Sequence, residues 1–183
     1  MFGLFRSNKN INEAHSLYSA VLEQARMPLF YTDYGVPDTV DGRFDMIVLH
    51  AHILFDRLKD GSAEHEHLSQ SVFDLMFADM DQNLREMGVG DIGVAKRVKA
   101  MAEAFYGRAT VYAAALKKQD NNQELAAALR RNLFRKSEPT DVQVMATATY
   151  VRTQVSQFSA QDLADIQKGH ISFYMPLPLE ESR

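Results

Sequence analysis

The stretch that decides the fold is FDLMFADMDQNLREMGVGDIG, residues 73–93. Its last six residues, 88–93, satisfy G-x-G-x-x-G, the spacing whose backbone cradles a dinucleotide pyrophosphate. That use demands a buried strand before the glycines and an acidic residue closing a second strand. The residues ahead of the glycines instead place Phe73, Met76, Phe77, Met80, Leu84 and Met87 on one stripe at helical spacing. An amphipathic helix over 68–87 therefore runs into the glycines, with Gly88 as its left-handed cap, and the loop turns one helix into the next. Binding of a nucleotide or nucleic acid through this loop is kept as an alternative.

Downstream, Asp91 is placed to cap a long helix over 92–118 whose core stripe is Val94, Val98, Met101, Ala102, Phe105, Ala109, Tyr112 and Leu116. Lys117 and Lys118 suit its C-terminal dipole, whereas Lys96, Arg97 and Lys99 crowd the first turns, where positive charge is slightly unfavourable. Ala100, Gly107 and Ala114 recur every seven residues off the core stripe; such a strip lets a second helix approach closely, and a helix of the same domain is the expected neighbour, with a client helix as the alternative. Upstream, Phe44, Ile47, Val48, Ala51, Leu54, Phe55 and Leu58 keep helical spacing, and Met46, Leu49 and Ile53 add apolar surface behind them. A helix apolar nearly all round belongs at the centre of a bundle.

Further helices are expected over 12–26, 123–134, 139–157 and 160–168, with a loop over 28–42 whose Asp38 caps the helix that follows. Asn122 and Ser137 are cap candidates, Ser159 with Asp162 resembles a capping box, and Gly169 ends the last helix. The fold class is all-α: a single-domain helical bundle of about six or seven helices over 11–168, after a flexible segment 1–10 and before an extended tail 169–183.

Composition agrees with one compact domain: of 183 residues 46% are hydrophobic and 24% charged, with only 9 Gly and 5 Pro. No cysteine is present, which excludes disulfides, thiolate metal sites and a cysteine nucleophile. The longest near-apolar run, residues 46–55, is half the ~20 residues of a membrane span, and no export signal is read at the start, so a cytoplasmic protein is expected, at most peripheral at the inner membrane. The net charge of −4 hides an uneven layout: residues 96–136 carry 10 basic and 3 acidic side chains. Such asymmetry marks either a solvated face or a surface for RNA or anionic lipid.

No constellation of side chains argues for catalysis. His50 and His52 stand about 200° apart on a helix and cannot grip one ion. Glu64 and His67 form a single E-x-x-H where a di-iron bundle needs two, and Asp38, Asp41 and Asp45 lack the spacing of a calcium loop and are expected to serve as caps. Asp81 and Arg85 form an i,i+4 pair, and Asp79 with Glu86 is expected to meet Arg97 or Arg108 across the turn as a charge network. A small-molecule enzyme using that Asp79/Glu86 and Arg97/Arg108 cluster is the alternative function. No metal or cofactor is expected. Met76, Met80, Met87 and Met101 are mostly core, although methionine also suits surfaces that accept varied apolar clients.

The blocks FYTDYGVPDTVDGRFDMIVLHAHILFDRL and FDLMFADMDQNLREMGVGDIGVAKRVKAMAEAFYGRATVYAAAL resemble the ubiquinol-cytochrome c chaperone family over about residues 30–116, most distinctively in PDTVDGRF, LREMGVGDIGV and FYGR. The resemblance implies an all-helical, non-enzymatic factor of bacterial type that binds newly made cytochrome b and assists assembly of the respiratory bc1 complex. Mitochondrial members also work with a small partner subunit and near the ribosomal exit. The family offers no catalytic residues; its motif positions Asp38, Gly42, Arg43, Arg85, Gly88, Gly90, Asp91 and Arg108 are read as caps, turns and ion pairs. Lys96, Arg97, Lys99, Lys117 and Lys118 are the expected basic surface toward a ribosome or anionic membrane, and no DNA partner is expected.

Overall fold

The computed structural model describes residues 8–59 and 61–179. Among them are eight helices and no strand: α1 (Asn8–Ala25), α2 (Pro28–Thr32), α3 (Val40–Arg57), α4 (Ala63–Glu86), α5 (Asp91–Leu116), α6 (Gln123–Asn132), α7 (Asp141–Ala160) and α8 (Leu163–Gln167). All seven helices expected from periodicity are present. The addition is α2, a single turn opened by Pro28 in a segment expected to be loop; it buries Phe30 completely. The flexible segment expected over 1–10 lies mostly outside the described residues, and α1 already includes Asn8.

Helix α3 is the axis of the bundle, as its all-round apolar surface requires. Every residue from 44 to 55 is buried, and the helix touches α1, α5 and α7. Helix α1 also lies along α4, and α6 joins α5 to α7. Tyr18 on α1 donates a hydrogen bond to Asp79 on α4 at 2.7 Å.

Helices α1, α3 and α4 begin four or five residues earlier than expected, at Asn8, Val40 and Ala63, and several capping atoms are neighbours of the expected ones. Thr39, not Asp38, caps α3 by accepting the amide of Gly42, while Asp38 pairs with Arg43 at 2.7 Å. Gly90 is the N-cap of α5, and Asp91 inside the first turn pairs with Arg85, which also holds Asp81 at 2.5 Å. Thr140 with Gln143 forms the capping box of α7, displacing Ser137; Asp162 alone caps α8, because α7 runs on through Ser159. Asn122 takes the N-cap position of α6 without capping it; Asp120 accepts the amide of Glu124 instead. Each choice depends on which oxygen the local backbone aims at a free amide, which composition does not encode. Gly88 and Gly169 close their helices at φ +81° and +86°.

After α8 the chain crosses the bundle without regular structure and is held by a buried polar network. Gln154 accepts the amide of Tyr174, and Gln24 donates both to the Tyr174 carbonyl at 2.9 Å and to the Tyr150 hydroxyl at 2.8 Å. His50 completes the chain: its Nδ1 must donate to the Met46 carbonyl, so its Nε2 accepts from Tyr150 at 2.8 Å. Every member has a partner, which is the condition for a buried network to stabilise one packing.

Candidate functional site

Helix α5 is covered on one side only. Val94, Phe105, Tyr112 and Ala115 are buried, but Val98, Met101, Ala102, Ala109 and Leu116 of the expected core stripe are only half-buried. Among the described residues the small-residue strip is also uncovered: Ala100, Gly107 and Ala114 are exposed, and none lies within 4 Å of where a side chain on Gly107 would begin. The expectation that a helix of the same domain fills this strip is corrected. Turn and bundle geometry place the partners of α5 on its opposite side, toward α3, α4 and α6.

An ion network fastens α5 to α3 on one flank. The Asp45 carboxylate, 1% exposed, forms an ion pair with Arg108 at 3.0 Å and accepts a hydrogen bond from Arg135 at 3.2 Å; Asp41 beside it pairs with Arg135 at 3.5 Å and with Lys136. Arg108 also lies 5.8 Å from the Phe44 ring centre. Burial pushes the Asp45 carboxyl above its ordinary range, opposed by the two guanidinium groups, whereas Lys136 draws the more exposed Asp41 below it. Asp45 is thus a buried ion-pair partner, not a cap. The signal was a lone carboxylate inside a run buried on every side. Above this network lies a groove of about 480 Å³ with Val40, Leu84, Met87 and Met101 in its walls and Arg97 at its rim.

The other flank is aromatic. A cavity of about 360 Å³ opens between α3, α4 and α5, walled by Phe55, Phe73, Phe105 and Tyr106. His52 forms part of its lining; it is 1% exposed, and its Nε2 has no hydrogen-bond partner among the described residues. Burial pulls its pKa down to about 4, so it is neutral. The Tyr112 hydroxyl is likewise buried and unpartnered, and the two rings lie 6.1 Å apart. His50 and His52 both pack inside the bundle, and the helical period of α3 gives no sign of this cavity, because its walls come from three helices.

The basic residues do not form one surface. Lys96, Arg97 and Lys99 are exposed on the first turns of α5, and Lys117 and Lys118 are exposed at its end, about 30 Å away at 1.5 Å per residue. Lys99 pairs loosely with Glu103 at 3.9 Å. Nor does the expected charge network of Asp79, Glu86, Arg97 and Arg108 assemble. Asp79 takes the Tyr18 hydroxyl, Glu86 accepts from Gln82 at 2.8 Å, Arg108 is committed to Asp45, and Arg97 has no ion partner among the described residues. The enzyme reading built on that cluster loses its geometry. Among the described residues no three His, Asp or Glu side chains converge as metal ligands, and no helix is long and apolar enough to cross a membrane.

The motif positions have structural tasks. Gly42 passes so close to the Pro37 carbonyl oxygen that a Cβ would lie 2.0 Å from it. Arg43, Arg85 and Arg108 pair with Asp38, Asp81 and Asp91, and Asp45 respectively, while Gly88 and Gly90 shape the turn between α4 and α5.

Comparison with known proteins points one way. The profile of the family described as ubiquinol-cytochrome C chaperone matches residues 32–173. Ubiquinol-cytochrome-c reductase complex assembly factor 1 of Xenopus laevis is 25% identical over 150 residues, covering 82% of this chain and 74% of the relative. The human protein of that name is 24% identical over 152 residues, covering 82% of this chain and 50% of its own length; the chain thus spans about half the length of the human and mouse relatives. Among solved structures, the Cbp3 homolog from Brucella abortus superposes with a TM-score of 0.82 at 35% identity, covering 92% of both chains.

Proposed function

This chain belongs to the ubiquinol-cytochrome C chaperone family, and from that premise we propose that it is a non-enzymatic chaperone that binds newly made cytochrome b during assembly of the bc1 complex. The observation that carries the reading is the family match over residues 32–173, a span that contains all of α5 and both of its flanking grooves. Its chemistry supports the same use. An uncovered helix beside apolar cavities binds by burying surface, with methionine and aromatic walls that adapt to a client, and of the groups considered for catalysis Asp79, Glu86 and Arg108 are bound to other partners.

The basic residues at the two ends of α5 support a place of work for the chaperone at a polyanionic surface. Lys96, Arg97 and Lys99 at one end and Lys117 and Lys118 at the other are proposed to meet ribosomal RNA or anionic lipid on the cytoplasmic face of the inner membrane. The deciding experiment is deletion of the gene with assay of bc1 assembly, joined to crosslinking of the tagged protein to nascent cytochrome b. Loss of assembled complex together with a cytochrome b adduct is expected; normal bc1 levels and no adduct would defeat the reading.

A further inference from the structure

We propose that the outward face of α5, between its two lysine clusters, seats one apolar membrane helix of the client, with a large side chain of that helix entering the aromatic cavity beside Tyr106. The inference rests on the cytochrome b reading and adds to it the face and the form in which the client is held.

The face has the right relief. The exposed residues of α5 between Lys99 and Lys117 are Ala100, Glu103, Tyr106, Gly107, Thr110 and Ala114, of which only Glu103 is charged, and it leans toward Lys99. Small side chains let two helix backbones approach closely enough for continuous van der Waals contact. At the centre a side chain on Gly107 would meet none of the described residues within 4 Å, and beside it Tyr106 is 58% exposed.

Two hollows adjoin the face. A trough of about 660 Å³ follows the second half of α5 along Ala109, Thr110, Ala113 and Ala114, and it shares Lys59, Tyr106 and Ala109 with the 360 Å³ cavity. A helix lying on the small residues would thus have a socket next to its midpoint. His52 lines that socket, and nothing else in the described chain satisfies its Nε2. A buried unpaired polar atom is costly, so the socket favours a large side chain with a hydrogen-bonding tip, tyrosine above all.

Length and charge identify the occupant. The two basic ends stand about 30 Å apart, the rise of a helix of about 20 residues and the thickness of a bilayer's hydrocarbon core. A membrane-spanning helix laid along α5 would place its apolar span over the small residues and its polar ends over the lysines. A second copy of this chain fits badly, because an antiparallel α5 crossing centred on Gly107 sets Lys96 against Lys118 and Arg97 against Lys117. Like charges so placed repel.

The test uses the full chain and cell-free synthesis of cytochrome b. A photoreactive p-benzoylphenylalanine at Thr110 should form an adduct with cytochrome b. Gly107→Leu should melt no lower than the wild type, since Leu favours a helix and the site is open, yet lower both that adduct and co-purified cytochrome b at least tenfold. Gln157→Leu on the exposed side of α7 serves as control and should retain cytochrome b as the wild type does. Retention within twofold by Gly107→Leu overturns the proposed face while leaving the cytochrome b reading standing. An adduct between two copies of this chain at Thr110 also overturns it, and failure of the wild type to retain cytochrome b overturns both.

Discussion

Arg108 on α5 holds Asp45 on α3 at 3.0 Å, with side chains 9% and 1% exposed, so the helix with the uncovered face is fastened to the bundle axis by a buried charge pair. Removing one partner leaves the other charge in a place water hardly reaches. Asp45→Ala and Arg108→Ala should each lose about 3–5 kcal/mol in denaturant unfolding, whereas the double change Asp45→Leu/Arg108→Met should lose less than either. Single losses under ~1 kcal/mol would mean that Arg135 or water carries the charge instead.

Two glycines in helices should respond to alanine with opposite signs. At Gly42 the new Cβ would meet the Pro37 carbonyl oxygen at 2.0 Å, and relief of such overpacking typically costs about 1–3 kcal/mol. At Gly107 the space is open, and alanine should add up to about 1 kcal/mol through helix propensity. Denaturation midpoints of the two variants, compared at equal m-values, check both signs.

Gly88 tests the turn that resembles a nucleotide loop. Its φ of +81° lies in the left-handed region and nothing crowds it, so Gly88→Ala should cost about 1 kcal/mol from backbone strain alone. Thermal melts with and without a nicotinamide dinucleotide should show the same loss. A nucleotide-dependent rise in Tm that disappears in the variant would contradict the helix-turn-helix assignment.

Stability should fall between pH 6.5 and 4. His50 and His52 have pKa values pulled down to about 4 by burial, against about 6.5 in an unfolded chain. The unfolded chain therefore takes up protons first as the pH drops. The stability due to each neutral imidazole is full above pH 6.5, declines by about 1.4 kcal/mol per pH unit through the window, and is flat once the folded form also titrates. His50→Gln should lower the slope of stability against pH by about one proton, measured by urea unfolding at pH 7, 6, 5 and 4.5.

The lysines form two clusters, so their effects should separate. Charge reversal at Lys96 and Lys99, or at Lys117 and Lys118, should leave folding within roughly 0.5 kcal/mol per site. Each pair should weaken salt-sensitive co-sedimentation with anionic vesicles or ribosomes on its own, and the four together should weaken it most. Undiminished binding by all four would assign these charges to an ordinary solvated face.

What the residues settle by themselves is local. The helical class, the position of each long helix, the all-round burial of residues 44–55 and the left-handed turn at Gly88 follow from apolar period and turn chemistry within a few residues. What needed the folded chain is relational. Asp45 finds Arg135 across 90 residues, and the aromatic socket of His52 takes its walls from three helices. The bareness of Ala100, Gly107 and Ala114 is a property of what packs elsewhere. A stripe of small residues reads the same whether a neighbour covers it or leaves it open, because periodicity records which face of a helix is small or apolar and carries no information about which distant segment meets it.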